Sequence, residues 1–314
     1  MKKILVTGGA GFIGLNFIKH ILDIDRMDIV VADKFTYASN PKELLSISKI
    51  ETFQLDLADL AAVENLFNHQ EISHIVHFAA ETHVDKSIKD SRPFIQSNII
   101  ATVNLLNEAV KRKVEKFVHI SSDEVFGEIA IPGKFSEISK IAPRNPYSAS
   151  KASAEHFVEA YGNTLGLPYT IINSTNNYGP WQHPEKLIPL TIRRILQKKK
   201  VPVYGNGSQI RDWIFVKDAV EAIRKILHHG KYQERYCIGG ESEIRNIDLI
   251  RMILKKMDAE ENLIEYVEDR PGHDARYAFS IEKVKRELMW RPKYDLSDGL
   301  NKTIEWVREH ENRI

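Results

Sequence analysis

The stretch KILVTGGAGFIG, Lys3 to Gly14, narrows the possible folds more than any other part of the chain. A short β-rich apolar run meets a turn with Gly8, Gly11 and Gly14 in G-x-x-G-x-x-G spacing, and a helical pattern follows from Phe12 to Leu22. Glycines at a strand-to-helix turn let the backbone approach a pyrophosphate, which the free N–H groups and positive dipole end of the helix then hold. The triplet alone also suits a tight turn with no ligand. The next apolar run, DIVVAD, ends on Asp33, about twenty residues beyond the last glycine, where an acidic residue binds the ribose 2′-hydroxyl of NAD. Together these signals predict a bound dinucleotide. A carboxylate there repels a 2′-phosphate, so NAD is expected rather than NADP, with Lys34 softening that preference.

Further runs, ETFQLD, HIVHFAA, KFVHISS and YTIINST, are separated mostly by helix-length spacers. Several are apolar on consecutive positions, as expected for strands covered on both faces of a parallel sheet. The fold class expected is α/β, a Rossmann-type doubly wound parallel sheet. After residue 178 the texture changes, and Pro180, Pro184, Pro189 and Pro202 interrupt shorter elements. A smaller, discontinuous C-terminal substrate lobe is expected over 179–209 and 239–314. Residues 1–178 are assigned to the NAD-binding domain, with 210–238 returning to its sheet because RDWIFVKDAVEAIRKIL reads as strand and helix.

The 314 residues carry a formal net charge of +1, which gives no electrostatic case for nucleic acid or an anionic membrane surface. The apolar start is too short for a signal peptide or a spanning helix, and glycines break it at once. Cys237 is the sole cysteine. Neither a disulfide framework nor a thiolate metal site is expected, and the compartment expected is reducing and cytoplasmic.

Two constellations carry chemistry. In FVHISSDEVFG, a strand that reads as buried ends in Ser121 and Ser122 and then in adjacent carboxylates, Asp123 and Glu124. Unpaired carboxylates are costly to desolvate, although Asp-Glu is also a common solvated turn or helix cap. In YSASK, Tyr147 and Lys151 stand four apart on a helix beginning near Asn145-Pro146. They share a face, so the ammonium is expected beside the phenol. Such a charge stabilises phenolate and makes Tyr147 a base near neutrality. A Tyr/Lys pair is ordinary on a helix surface. Its place after the fifth strand of a dinucleotide-binding sheet favours catalysis, with Ser121 or Ser122 near a substrate hydroxyl.

With these motifs the chain resembles the extended short-chain dehydrogenase/reductase family, and within it the dTDP-glucose 4,6-dehydratases. The resemblance covers nearly the whole chain through TGGAGFIG, DKFTYASN, HFAAETHVDKS, SSDEVFG, NPYSASKAS, NNYGPWQHPEKLIP, YGNGSQIRDW, IGG and DRPGHDARYA. The Asp-Glu pair and DRPGHD are more specific than the glycines, since related epimerases generally lack both. The resemblance implies a lyase that oxidises a nucleotide sugar at C4, eliminates water across C5–C6 and returns hydride to C6, so that NAD is regenerated. Asp123 is then the acid for the C6 hydroxyl and Glu124 the base at C5, their pKa values split by environment. Tyr147 and Lys151 serve the oxidation, and Ser122 holds the 4-hydroxyl.

The same resemblance implies that Phe12 and Ile13 lie along the pyrophosphate, that Asp33, Lys34, Phe35 and Thr36 surround the adenosine ribose, and that Asp56 and Leu57 flank the adenine. Phe78, Ala79, Ala80, Thr82, Ser97 and Asn177 belong to the cofactor side, with Tyr147 and Lys151. Thr82, Ser122 and Asn176 approach the sugar. Lys186, Leu187, Pro202, Tyr204, Arg211, Asn246, Arg270 and His273 hold the nucleotide, and arginines suit a diphosphate through forked, permanently charged donors. The partners implied are a nucleotide-sugar substrate and a second copy of the chain. That homodimer packs through the Tyr147 helix and the helix spanning roughly 94–111.

Departures accompany the resemblance. Ser122 stands where threonine is usual and lacks the methyl that limits its rotamer, and Asn173 and Thr175 stand where Arg and Ser are typical. The histidines, among them His77, His83 and the pair His228-His229, show no tight ligand spacing, so no metal is expected. The alternative reading is a UDP- or CDP-glucose 4,6-dehydratase or a 4-epimerase, and more distantly a non-catalytic NAD-sensing protein. An epimerase does not require Asp123 and Glu124.

Overall fold

The computed structural model describes residues 2–310 except 23 and 26. In chain order its strands are β1 (Lys3–Thr7), β2 (Asp28–Asp33), β3 (Ile50–Gln54), β4 (His74–His77), β5 (Lys116–Ser122), β6 (Tyr169–Ser174), β7 (Asn176–Tyr178), β8 (Val201–Tyr204), β9 (Ile210–Phe215), β10 (Glu234–Ile238), β11 (Glu243–Arg245) and β12 (Ile264–Val267). Seven of them form one sheet in the order β10-β6-β5-β4-β1-β2-β3, with every neighbouring pair parallel. Successive side chains of a strand point to opposite faces, so the consecutive apolar residues divide between two cores. Ile4 and Val6 join Ile29, Val31 and helix Phe12–Leu22 on one face. Leu5 joins Val30, Ala32 and helices Leu60–His69 and Ala101–Lys111 on the other. This is the doubly wound α/β sheet read from the runs.

One strand lies elsewhere. Helix Val216–His229 packs against helix Phe12–Leu22, and β10 pairs with β6. β9 instead sits between β7 and β11 in a separate three-stranded sheet, which corrects the expectation that it joins the main one. A strand has two edges, and β6 gives one to β5 and the other to β10. No ladder is left there for β9. A third core, including Ile188, Ile192, Val201, Trp213, Ile250 and Leu300, builds the smaller C-terminal part, where β8 and β12 pair in parallel.

Strand order reverses direction at β1 and β4, and such a switch point opens a crevice beyond the carboxyl ends of the strands. Along its side, the helix Arg92–Lys111 contains one π-helical turn, Ile95–Ile100. From this turn the buried Asn98 accepts from the Glu81 N–H (2.8 Å) and donates to the Glu81 carbonyl (3.0 Å) and Ser150 Oγ (2.8 Å). It thereby ties the loop after β4 to helix Pro146–Leu165 at the crevice wall, a common use of π turns. No helix among the described residues is long and apolar enough to cross a membrane.

Candidate active site

A cleft of about 680 Å³ occupies the crevice. Gly8 has φ +69°, and a Cβ there would lie 2.6 Å from the Ala79 nitrogen; a Cβ on Gly14 would lie 2.3 Å from the Gly8 carbonyl oxygen. Only glycine lets helix Phe12–Leu22 start this close to β1. The first N–H groups of a helix lack intrahelical partners, and here Gly11, Phe12 and Ile13 bring them to the cleft wall. Asp33, at the end of β2, is buried and accepts from the Ala10 N–H (2.9 Å) and the Phe35 N–H (2.7 Å). Burial raises its pKa while these two donors act against the rise. Each carboxylate oxygen keeps a lone pair for a hydroxyl of a ligand. Lys34 is paired with Asp56, so its charge is already answered and offers little to a 2′-phosphate.

Thr36, Asp56, Leu57, Phe78, Ala79, Ala80, Thr82, Ser97, Asn176 and Asn177 line this same cleft. Phe35 does not; it has φ 56° and packs against the core. Six buried polar atoms of residues on the wall have no partner among the described residues: Ser121 Oγ, Asp123 Oδ2, Thr175 Oγ1, Asn176 Oδ1, Asn177 Oδ1 and Gln182 Oε1. Buried acceptors of this kind call for a hydrogen-bonding ligand or water.

At the end of β5, Ser122 caps the 3₁₀ turn Asp123–Phe126, its Oγ accepting from the Glu124 N–H (3.2 Å) and donating to Asp123 Oδ1 (3.0 Å). Asp123 is 3% exposed. Burial, followed by the charge of Glu124, pushes its pKa up to about 8, with Arg211 partly offsetting them. At neutral pH it is therefore a protonated acid whose second oxygen is free. Glu124, half-buried beside it, accepts from Asn145 Nδ2 (3.0 Å).

Tyr147 and Lys151 are both buried on the facing helix Pro146–Leu165. The Lys151 ammonium donates to the Ile120 carbonyl (2.7 Å), and burial brings its pKa down to about 8. Burial and the Glu124 charge raise the Tyr147 pKa, against which a hydrogen bond with Ser122 acts. The expectation that Lys151 makes this tyrosine acidic is thus corrected for the ligand-free arrangement. Desolvation penalises both charged forms, and the nearby carboxylates reinforce it for the phenol.

The remaining sequence candidates lie toward the second lobe. Lys186 stands at the cleft wall and donates to the Thr82 carbonyl (3.1 Å), and Leu187 opens helix Leu187–Leu196 behind it. Pro202, Tyr204, Arg211, Asn246, Arg270 and His273 are outside the walls of the central cleft. Tyr204 donates to Asp85 (3.2 Å), Arg270 stands 3.9 Å from the same carboxylate, and His273 bonds Asp269 (2.7 Å). Arg211 is buried, donates to the Ile210 and Asp274 carbonyls, and lies 4.2 Å over the Tyr277 ring.

Two residues escaped sequence reasoning. Asn145 was legible only as the start of a helix, yet it donates to Glu124; Tyr277 was legible only as part of DRPGHDARYA, yet it lies under Arg211 and feels the Glu124 charge. His77 is a core histidine held between the Thr7 and Thr102 hydroxyls. Among the described residues no three His, Cys, Asp or Glu side chains converge as metal ligands.

The family model described as GDP-mannose 4,6 dehydratase matches residues 5–303. A dTDP-glucose 4,6-dehydratase of Shigella flexneri is 41% identical over 340 residues, spanning 99% of this chain and 94% of that protein. The crystal structure of a dTDP-glucose 4,6-dehydratase from Bacillus anthracis str. Ames in complex with NAD matches with a TM-score of 0.93 at 39% identity, over 100% of this chain and 98% of that one. A dTDP-glucose 4,6-dehydratase from Streptomyces venezuelae, also with NAD bound, matches with a TM-score of 0.95 at 38% identity, over 99% and 98%.

Proposed function

The chain belongs to the dTDP-glucose 4,6-dehydratase family, and from that premise we propose that it converts dTDP-glucose to dTDP-4-keto-6-deoxyglucose by NAD-dependent dehydration. The observation that carries this reading is Asp123, a buried acid sharing one cleft with the glycine turn and Tyr147. Simple dehydrogenation gives such an acid nothing to protonate.

The residues present fit a dinucleotide. Gly11, Phe12 and Ile13 would hold the pyrophosphate, Asp33 the adenosine ribose, and the unpartnered Asn177 amide oxygen the far end of the cofactor. When bound, NAD supplies the oxidation at C4 and the later reduction at C6, and its cationic ring adds a positive charge to the cleft. With that charge beside it, Tyr147 would be held as phenolate and would accept the proton of the 4-hydroxyl, which the Ser122 hydroxyl orients. Lys151, anchored on the Ile120 carbonyl, holds positive charge beneath that end of the site. A C4 ketone acidifies C5, where Glu124 takes the proton. Asp123 gives its own proton to the departing C6 oxygen.

We read 1–178 with the helix and strand of 216–238 as the cofactor-binding part, and 179–209 with 239–314 as the sugar-nucleotide part. Tyr204, Arg270 and His273 would grip the nucleotide there, with Arg211 acting beneath it. Purified protein incubated with dTDP-, UDP- and CDP-glucose should form a 4-keto product fastest from the first. No keto product from any of them refutes the reading. Asp33→Ala should weaken NAD binding and relax discrimination against NADP; equal affinity of the parent for both cofactors would refute that role. We also read the protein as a cytoplasmic homodimer. Ile95, Ile100, Phe157 and Leu165, partly exposed on two neighbouring helices, support a dimer face, and a monomer mass by light scattering would refute it.

A further inference from the structure

Asn145 uses the two ends of its amide differently. Its Oδ1 accepts from the Ser148 N–H (2.8 Å), while Ser148 Oγ accepts from the Asn145 N–H (3.1 Å), a complete capping box for helix Pro146–Leu165. Its Nδ2 donates to Glu124 Oε2 (3.0 Å). The residue is 8% exposed, so neither bond is a loose surface contact. Capping alone does not require asparagine, because serine and aspartate cap about as well. Asparagine accepts from the helix through its oxygen and donates to a carboxylate through a separate nitrogen; aspartate has no donor when ionised, and serine must do both from one shorter hydroxyl.

We propose that Asn145 is a positioning residue for the reaction, aiming the Glu124 carboxylate while fixing the start of the helix that carries Tyr147. The inference rests on the reading of Glu124 as the C5 base. A donor on one oxygen fixes the direction of the carboxylate and leaves the other oxygen to face the sugar. The charged and titratable groups around Glu124 come from several elements: Asp123 on its own turn, Tyr147 on the capped helix, Lys186 at the cleft wall and Tyr277 from the C-terminal part. Among them Asn145 holds the carboxylate by a neutral amide.

The test compares Asn145→Ser, Asn145→Asp and Glu124→Gln in the full chain with NAD and dTDP-glucose. The readouts are thermal midpoint, KM, kcat and exchange of the C5 proton with deuterated solvent. Asn145→Ser retains a cap and adds no charge, so its midpoint and KM should stay near the parent, whereas Asn145→Asp retains the cap but sets a carboxylate against Glu124 and should lower the midpoint. C5 exchange and kcat should fall about tenfold or more, as for loss of a hydrogen bond to a charged group. Parental exchange and kcat in both variants, with Glu124→Gln stalled, would leave Asn145 as a cap and overturn the inference. Parental exchange in Glu124→Gln would instead overturn the assignment of the base. Should either Asn145 variant lose stability, exchange and kcat are read below its midpoint, and parental values there again overturn the proposal.

Discussion

Replacing Asp123 with Asn should lower turnover by about 10²–10⁴-fold and stabilise the protein increasingly as pH rises. Both effects follow from one environment. Asp123 is buried, and burial with the adjacent Glu124 charge lifts its pKa from 3.8 to about 8. Below pH 4 the folded and unfolded chains both hold this proton. Between there and about pH 8 the folded chain keeps it while the unfolded chain has lost it, so stability falls with rising pH. Asparagine has no such titration. Its second N–H changes stability too, but by an amount independent of pH, so the difference in thermal midpoint between variant and parent should widen from pH 5 to pH 8.5. Calorimetry showing a constant difference would mean that Asp123 is ionised in the fold. Turnover of the parent should also decline above pH 8, where the acid is lost.

The sequence made the sheet legible because parallel strands buried on both faces must be apolar at successive positions, as Ile4, Leu5 and Val6 are. It made the place of Asp33 legible, because an acidic residue closing the second strand of such a sheet comes to lie beside the glycine turn, where Asp33 accepts from the Ala10 N–H. It could not decide which sheet β9 joins, since an apolar strand carries no label for its partner and the free edge of β6 was taken by a strand later in the chain. Charge states were hidden for a similar reason. Four-residue spacing put Tyr147 and Lys151 on one face, but the Ile120 carbonyl that engages the lysine and the burial that raises the phenol are tertiary facts. Arg211 read as a donor to a diphosphate, and only the fold shows the two backbone carbonyls and the Tyr277 ring that hold it in the interior. Asn145 read as a helix start, and only the fold brings Glu124 to its other end.

Tyr147→Phe should stop the reaction earlier than Asp123→Asn does, and proton exchange at C5 separates the two. The Tyr147 ring packs edge-on against Phe94, with centroids 6.4 Å apart, in a small cluster with Val84. Phenylalanine keeps that packing and removes one oxygen, so fold and NAD content should persist. Without the phenol no group is placed to take the 4-hydroxyl proton, and kcat should fall by about 10²–10⁴-fold. The C5 proton is acidic only once C4 is a ketone. Sugar recovered from Tyr147→Phe in deuterated water should therefore carry no deuterium at C5. In Asp123→Asn the ketone still forms and Glu124 is intact, so C5 should exchange while the C6 oxygen, lacking its acid, stays bound. Mass spectrometry of the recovered nucleotide sugar reads both results. Exchange in Tyr147→Phe would show that another base oxidises the sugar, and absence of exchange in Asp123→Asn would mean that removal of the C5 proton and loss of the C6 oxygen are a single concerted event.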